Sequence, residues 1–122
     1  MPPARPTVLA IDDGPVNLML LKAILEQECT VFTATSGEQG LDMAARLHPD
    51  LILLDVMMPG LDGFETCQRL KANPTLSSTP VVFITSQNDT ESEVKGLALG
   101  AADYLTKPLN ANIARLRIAN LL

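Results

Sequence analysis

The chain has 122 residues, of which 47% are apolar and 19% charged, and this composition suits one globular domain with a single core. Fourteen acidic residues outnumber nine basic ones, and the net charge of −5 disfavours direct binding to nucleic acid or to an anionic membrane surface. Strictly apolar runs such as Leu51–Leu54 are far shorter than the roughly 20 residues of a membrane span.

The cysteine pattern and the N-terminal residues indicate in which cellular compartment the protein is located. Cys29 and Cys67 are far apart, no CxxC is present, and His48 is the single histidine, so neither a zinc site nor a disulfide scaffold is indicated. Met1 to Thr7 contains no apolar stretch of signal-peptide length. We therefore expect a cytoplasmic protein with two reduced thiols that are buried or half-buried.

Short apolar runs with β-branched residues, bounded by turn formers, predict five strands. The predicted strands are Thr7–Ile11, Thr30–Ala34, Leu51–Asp55, Pro80–Thr85 and Ala102–Thr106. The third run has no polar alternation, which is typical of a strand buried on both faces of a parallel sheet.

Apolar residues at helical spacing between these runs predict five helical regions. They extend from Pro15 to Leu25, from Ser36 to Leu47, from Phe64 to Ala72, from Thr90 to Leu99 and from Asn110 to Leu122. Ser36, Thr90 and Asn110 are the predicted N-caps, and Gly100 is a natural residue just after a helix end. The strict alternation of strand and helix predicts an α/β domain with a parallel sheet covered by helices on both faces.

Polar side chains fall where the predicted strands end. Asp12 and Asp13 follow the first strand, Asp55 ends the third, Thr85 ends the fourth and Lys107 follows the fifth. In open parallel sheets, ligands bind outside this carboxyl edge. Each residue alone is commonly a helix cap, a turn former or a solvated side chain, but their placement at one edge indicates a site.

Three carboxylates at one edge need a counter-charge. At about 4 Å, each like-charged pair costs about 4 kcal/mol at an effective dielectric constant near 20. Mg²⁺ would remove this cost, because it takes oxygen ligands from carboxylates and from phosphate groups. A carboxylate beside such a cation can also attack phosphorus and form an aspartyl phosphate, with a lysine neutralising the developing charge.

Four segments carry a resemblance to a known family. They are Ile11-Asp-Asp13, Asp55-Val-Met-Met-Pro-Gly-Leu-Asp-Gly63, Ile84-Thr-Ser86 and Gly100-Ala-Ala-Asp-Tyr-Leu-Thr-Lys-Pro108. Together they resemble the receiver domain of bacterial two-component response regulators, over essentially the whole chain. The resemblance implies a flavodoxin-like, CheY-like (βα)5 three-layer sandwich with parallel strands in the order 2-1-3-4-5. It also implies a cis Lys107–Pro108 peptide bond.

The resemblance implies roles for the residues of the predicted site. Asp55 matches the phosphoacceptor, and Lys107 matches the lysine that pairs with a phosphate oxygen. Asp12 and Asp13 match the acidic pair that holds Mg²⁺, for which Mn²⁺ can substitute. Asp55 itself and the backbone carbonyl of Met57 would be further ligands of the metal.

The resemblance also implies a conformational switch. Thr85 matches the hydroxyl that turns toward the phosphoryl group, and Tyr104 matches the aromatic residue that then turns inward. A purely structural, half-buried sheet tyrosine is an equally open interpretation of Tyr104. The output face would comprise Thr90 to Leu99, Ala102 to Leu105 and Asn110 to Leu122.

Gly14 departs from the family pattern, and two further positions bear on how long the phosphorylated form lasts. Gly14 follows the acidic pair where the family often has a third acidic or other polar residue, which lowers the local negative charge slightly. Met57 and Gln87 occupy positions that tune dephosphorylation in relatives. A methionine side chain cannot orient an attacking water whereas a glutamine can, so the lifetime of the phosphorylated form stays open.

The implied function is a phosphorylation-activated signalling switch that is not a classical enzyme, since it catalyses only its own aspartyl phosphorylation and dephosphorylation. Its partners would be a sensor histidine kinase or phosphotransfer protein and a downstream effector domain or protein, and homodimers are common in the family. We expect residues 1–122 to form a receiver domain. The apolar finish at Asn120-Leu121-Leu122 favours an N-terminal fragment of a longer regulator over a stand-alone protein.

Two rival functions remain. A degenerate receiver would keep the fold and bind only proteins, but such forms usually lack one residue of the site, and here the residues are all present. A metal-dependent phosphatase on a related fold would carry an Asp-x-Asp motif after its first strand. Here Asp12 and Asp13 are adjacent, without the spacer.

Overall fold

Strands and helices alternate throughout the residues that the computed structural model describes, which are 5–86 and 89–122. The strands of this part of the chain are β1 (Thr7–Ile11), β2 (Thr30–Ala34), β3 (Leu51–Asp55), β4 (Val81–Ser86) and β5 (Asp103–Lys107). The helices are α1 (Pro15–Leu25), α2 (Gly37–Leu47), α3 (Gly63–Ala72), α4 (Thr90–Ala98) and α5 (Ala111–Leu121).

The strands form one parallel sheet in the order β2-β1-β3-β4-β5. This confirms the predicted α/β fold and the predicted strand order. Leucine, isoleucine and valine side chains of β1, β3 and β4 are buried on both faces of the sheet, as the absence of polar alternation predicted for β3. One face packs on α1 and α5, and the other on α2, α3 and α4.

Two of the predicted helix caps are confirmed. The Ser36 hydroxyl accepts a hydrogen bond from the Gln39 N–H at the start of α2, and the Asn110 side chain accepts one from the Ile113 N–H at the start of α5. Both contacts satisfy a backbone donor that has no partner inside the first helical turn.

The predicted cap of α4 is wrong by one residue. Asp89 is the N-cap and accepts from the Ser92 N–H, whereas Thr90 is the first helical residue. A carboxylate both accepts this bond and carries a negative charge that the positive end of the helix favours. The helix ends one residue early, Leu99 is its C-cap, and Gly100 follows with φ +101°, as expected of a glycine after a helix end.

The last two strands are shifted by one residue from the prediction. β4 begins at Val81 because Pro80 has no N–H to donate to the sheet. β5 begins at Asp103 rather than Ala102 and includes Lys107, which is in register with Ser86 of β4. Lys107 therefore ends the strand instead of following it, so the sheet fixes its backbone.

Other expectations concern the thiols, the proline bond and membranes. Cys29 and Cys67 are both buried and unpaired by disulfides, and the Lys107–Pro108 peptide bond is cis. None of the helices in the described part of the chain has the length and apolar character that crossing a membrane requires.

The start of α3 packs directly under the end of β3. The Gly63 N–H donates to the Val56 carbonyl at 3.0 Å, and Asp62 caps the helix through the Glu65 N–H. A Cβ added at Gly63 would lie 2.3 Å from the Asp55 carbonyl oxygen and 2.8 Å from the Val56 Cα, both of them backbone atoms. The missing side chain thus lets the helix reach the strand end.

We predict that Gly63→Ala lowers the free energy of unfolding by about 1–3 kcal/mol, the usual range for overpacking a tight site. The cost arises because the backbone of Asp55 and Val56 must move. Urea unfolding followed by circular dichroism measures this change.

Gly14→Ser is the matched control for this prediction. Its added Cβ meets side-chain atoms of Asn17 and Asp12 at 3.1 Å and beyond, and serine is at least as good an N-cap for α1 as glycine. We expect Gly14→Ser to be neutral or slightly stabilising. Equal stabilities for wild type and Gly63→Ala would contradict the packing argument.

Candidate functional site

Three carboxylates meet at the carboxyl edge of the sheet. Asp12 and Asp13 follow β1, and Asp55 is the last residue of the neighbouring β3. One carboxylate oxygen of each residue lies within 4.8 Å of the others. Asp12 and Asp55 are only 0% and 3% exposed, whereas Asp13 faces solvent. The structure therefore brings together the acidic residues that the sequence placed at one edge.

The backbone around Asp12 fixes its carboxylate. Its N–H donates to the Ala34 carbonyl of β2 at 3.1 Å, and its Oδ1 accepts from the Gly14 N–H at 2.8 Å. The other oxygen, Oδ2, is buried and accepts no hydrogen bond from any described residue. A buried carboxylate oxygen without a partner is costly, and a divalent cation with oxygen ligands is the partner that this site fits.

Lys107 supplies the positive charge of the site. Its Nζ donates to Asp55 Oδ1 at 3.3 Å and lies 3.9 Å from Asp12 Oδ2. One ammonium group thus faces two buried carboxylates, with the Asp13 carboxylate close by. The residual negative charge is the electrostatic reason why these residues can hold a cation.

The Asp55 carboxyl has a raised pKa. Burial is the largest cause and the charge of Asp12 is the second, and together they raise the pKa from 3.8 to about 6. Lys107 and a backbone N–H from Met57 oppose the rise, because both favour the ionised form. At neutral pH the carboxylate is still mostly ionised, as a nucleophile or metal ligand must be.

Thr85 and Tyr104 lie on the same face of two neighbouring strands. Tyr104 is in register with Phe83, and alternation along β4 puts Phe83 and Thr85 on one face. Thr85 is 1% exposed, and its hydroxyl oxygen has no hydrogen-bond partner within the described ranges. The predicted switch pair is thus close in the sheet, and the hydroxyl is available for a new bond.

Tyr104 is half-buried and contacts two charged residues from the flanking helices. The guanidinium of Arg117 in α5 lies 5.2 Å from the centre of its ring. Glu93 in α4 raises the pKa of the Tyr104 hydroxyl, mainly by hydrogen bonding to the neutral phenol and also by its negative charge. No sequence pattern indicates Arg117 or Glu93 as neighbours of Tyr104, since their proximity depends on how the helices lie beside β5.

Met57 and Gln87 are the remaining predicted positions. The Met57 N–H is 3.4 Å from Asp55 Oδ1, and its side chain is 72% exposed. Its carbonyl as a metal ligand stays a prediction. Gln87 lies outside the described residues. Sequence reasoning missed Gly63 as a support for the Asp55 backbone, although it lies in the segment that carried the resemblance.

Comparison with known proteins identifies the family. A family model described as the response regulator receiver domain matches residues 8–119 of the chain. This chain belongs to that receiver domain family. The domain is 46% identical over 115 residues to the response regulator PleD of Caulobacter vibrioides, covering 93% of this chain and 25% of PleD. It is 36% identical to PilH of Pseudomonas aeruginosa, covering 84% of this chain and 86% of PilH.

Solved structures agree with this assignment. The receiver domain matches the chemotaxis protein CheY4 of Vibrio cholerae with a TM-score of 0.91 and 29% identity, over 98% of this chain and 100% of CheY4. It matches the BeF₃-activated DrrB receiver domain with a TM-score of 0.84 and 32% identity, over 97% of both chains. The receiver domain spans a quarter of the length of PleD and 49% of the transcriptional regulatory protein AfsQ1 of Streptomyces coelicolor.

We predict that Asp55→Asn stabilises the receiver domain at pH 7.5 when divalent cations are removed by a chelator. Because the pKa of folded Asp55 is raised to about 6, the folded form binds more protons than the unfolded chain between about pH 4 and 6. The free energy of unfolding therefore falls as pH rises through this window. Removing the charge should restore about 3 kcal/mol at pH 7.5 and less than about 1 kcal/mol at pH 4.

Urea unfolding at both pH values measures this difference. Asp42→Asn is the control, since this exposed carboxylate pairs with Arg46 one helical turn away, far from the acidic edge in the sequence. It should change stability little at either pH. A lower stability of Asp55→Asn at pH 7.5 would show that the pair with Lys107 outweighs the burial of the charge.

Proposed function

We propose that this receiver domain is a phosphorylation-activated switch in which Asp55 accepts a phosphoryl group from a phosphohistidine. The donor is a sensor histidine kinase or a phosphotransfer protein, and the reaction depends on Mg²⁺. The observation that carries the proposal is the buried Asp55 carboxylate, with the Lys107 ammonium at 3.3 Å and two further carboxylates beside it. Family membership supports a cytoplasmic location for this reaction.

Asp12, Asp13 and Asp55 would hold the Mg²⁺ or Mn²⁺ ion, together with the Met57 carbonyl. When bound, the ion supplies positive charge to the oxygens of the phosphoryl group being transferred. The buried Asp12 Oδ2, which has no hydrogen-bond partner among the described residues, supports this assignment, because a cation ligand is the role that its position fits. The three-to-one excess of carboxylate over ammonium groups supports it as well.

The chemical step forms one bond and breaks one. An Asp55 carboxylate oxygen attacks phosphorus, the P–N bond to the donor imidazole breaks, and its electron pair stays on the ring nitrogen, which takes up a proton from solvent. Lys107 then pairs with a phosphoryl oxygen, for which its position beside Asp55 prepares it. Attack by water on phosphorus later releases phosphate and regenerates the Asp55 carboxylate.

Phosphorylation adds roughly −1.5 to −2 charge and strong acceptor oxygens at one point of the edge. The buried Thr85 hydroxyl, which has no partner among the described residues, would donate to one of these oxygens. Its movement would allow Tyr104 to turn inward and would change the face formed by α4, β5 and α5. The two helices of that face carry exposed apolar side chains, which are Val94 and Leu97 in α4 and Ile113 and Leu116 in α5.

The partner at this face would be an effector domain or a separate protein. The match to a quarter of PleD and to about half of AfsQ1 supports a receiver domain formed by residues 1–122 of a longer regulator. The match to 86% of PilH supports a stand-alone protein as the alternative. A homodimer through this face is consistent with both arrangements.

We predict that acetyl phosphate labels the wild-type chain only when Mg²⁺ is present. Intact mass spectrometry should show a gain of about 80 Da, the mass of one phosphoryl group. Asp55→Asn should show no gain, because the nucleophile is missing. Asp42→Asn should be labelled like the wild type. Labelling of Asp55→Asn would place the acceptor elsewhere, and absence of labelling in all variants would favour a receiver that only binds proteins.

We also predict that Mg²⁺ binds more weakly as pH falls below about 6, by about tenfold per pH unit while a single proton competes. The carboxyl whose pKa is raised to about 6 must lose its proton before it can bind the metal. Titration of Mg²⁺ between pH 5 and 8, followed by the rise in melting temperature, measures the affinity. Asp55→Asn should bind Mg²⁺ weakly, with a much flatter pH dependence. An unchanged wild-type affinity at pH 5 would exclude Asp55 as a ligand.

A further inference from the structure

Arg117 contacts Tyr104 in more than one way. Its guanidinium lies over the ring, with 5.2 Å between the guanidinium carbon and the ring centre. The Nη1 of the same group donates to the Tyr104 backbone carbonyl and lies 3.8 Å from Asp103 Oδ1. The family-derived switch assigns roles to Thr85 and Tyr104 but none to this arginine.

We propose that Arg117 is a positioning residue that holds Tyr104 in its resting position and thereby sets how readily the domain is activated. The inference rests on the proposed function, since it concerns the regulation of the same switch. In the resting position Tyr104 lines a cavity of about 280 Å³ between α4, β5 and α5, together with Glu93 and Arg117.

Rotation of the Tyr104 ring would break one contact of Arg117 and leave the other two in place. The bond to the Tyr104 carbonyl and the pair with Asp103 involve β5 atoms that do not move with the ring. They anchor the guanidinium whichever way the side chain of Tyr104 points. The stacking on the ring is lost when the ring turns inward. Arg117 therefore favours the resting state by the stacking contact alone.

The size of the effect follows from this difference. A cation stacked on an aromatic ring at a partly exposed site contributes about 0.5–1 kcal/mol, which corresponds to about a two- to fivefold change in an equilibrium. A contact that stabilises only the resting state lowers the apparent affinity of every activating ligand by the same factor. Glu93 acts in the same direction, because its carboxylate faces the phenol in the resting position.

The sequence itself provides the probe for the test. Tyr104 is the single tyrosine of the chain, and there is no tryptophan. Labelling with 3-fluorotyrosine therefore gives one ¹⁹F NMR signal, whose position reports the surroundings of this ring alone. Beryllofluoride with Mg²⁺ serves as the activating ligand in place of the phosphoryl group.

Arg115→Gln is the matched control for Arg117→Gln. Arg115 is on the same helix and loses the same charge, but its Nε donates to the Ile24 carbonyl of α1 at 3.1 Å, away from Tyr104. Arg117→Lys keeps a positive charge without the planar guanidinium. Melting temperatures of all variants separate the effect on the switch from a general loss of stability.

We expect Arg117→Gln to be half-saturated at a beryllofluoride concentration about two- to fivefold lower than the wild type. Its resting ¹⁹F signal should be displaced toward the beryllofluoride-bound position, that of Arg115→Gln should not be, and Arg117→Lys should fall between the two. If Arg117→Gln does not fold, the same comparison is made with Arg117→Lys.

Two results would overturn the inference, and they differ in whether the proposed function also fails. If the wild type binds beryllofluoride and is labelled by acetyl phosphate, but the Arg117 variants match Arg115→Gln, then the proposed function stands and the role of Arg117 is wrong. If the wild type neither binds beryllofluoride nor is labelled, the proposed function fails, and the inference fails with it.

Discussion

The mutual repulsion of carboxylates buried at one edge of the sheet is the constraint on which the rest of this structure depends. Asp12 and Asp55 cannot move apart, because each is fixed at the end of a central strand. Lys107 offsets only part of the charge, and burial raises the pKa of Asp55 to about 6. The apolar interior of the sheet supplies the stability that this arrangement costs. The excess negative charge therefore favours the binding of a cation. A bound cation would in turn favour the approach of an anionic phosphoryl group.

The order of the strands links this edge to the face formed by α4, β5 and α5, where the proposed switch would contact its partner. β3, β4 and β5 are neighbours, so Asp55, Thr85 and Tyr104 follow one another across the sheet. In the proposed switch, a new bond from the Thr85 hydroxyl would act at the position between the acidic edge and the aromatic ring. A short chain of contacts is enough to connect Asp55 with Tyr104, because each strand holds its neighbour in a fixed register.

Features set by local sequence were predictable, and features set by packing were not. The bounds of the first three strands and the caps Ser36 and Asn110 follow from nearby residues, and strand order came from the resemblance. The choice of Asp89 over Thr90 as a cap was not predictable, because both can accept the bond. Lys107 belongs to β5 only because β4 extends far enough to pair with it. Arg117 reaches Tyr104 because α5 packs beside β5, which no periodicity in the sequence reports.

The packing of α4 explains why this helix is suited to respond in the proposed switch. Of its residues, all of which are described, Gly96 alone is buried, and a Cβ there would lie 2.7 Å from a Phe83 ring carbon. Lys95 adds a contact over the Phe64 ring at 4.4 Å. Both contacts hold the C-terminal half of the helix. The N-terminal half includes Glu93, which lines the same cavity as Tyr104, so the proposed rotation of the ring would act where few residues of α4 are buried.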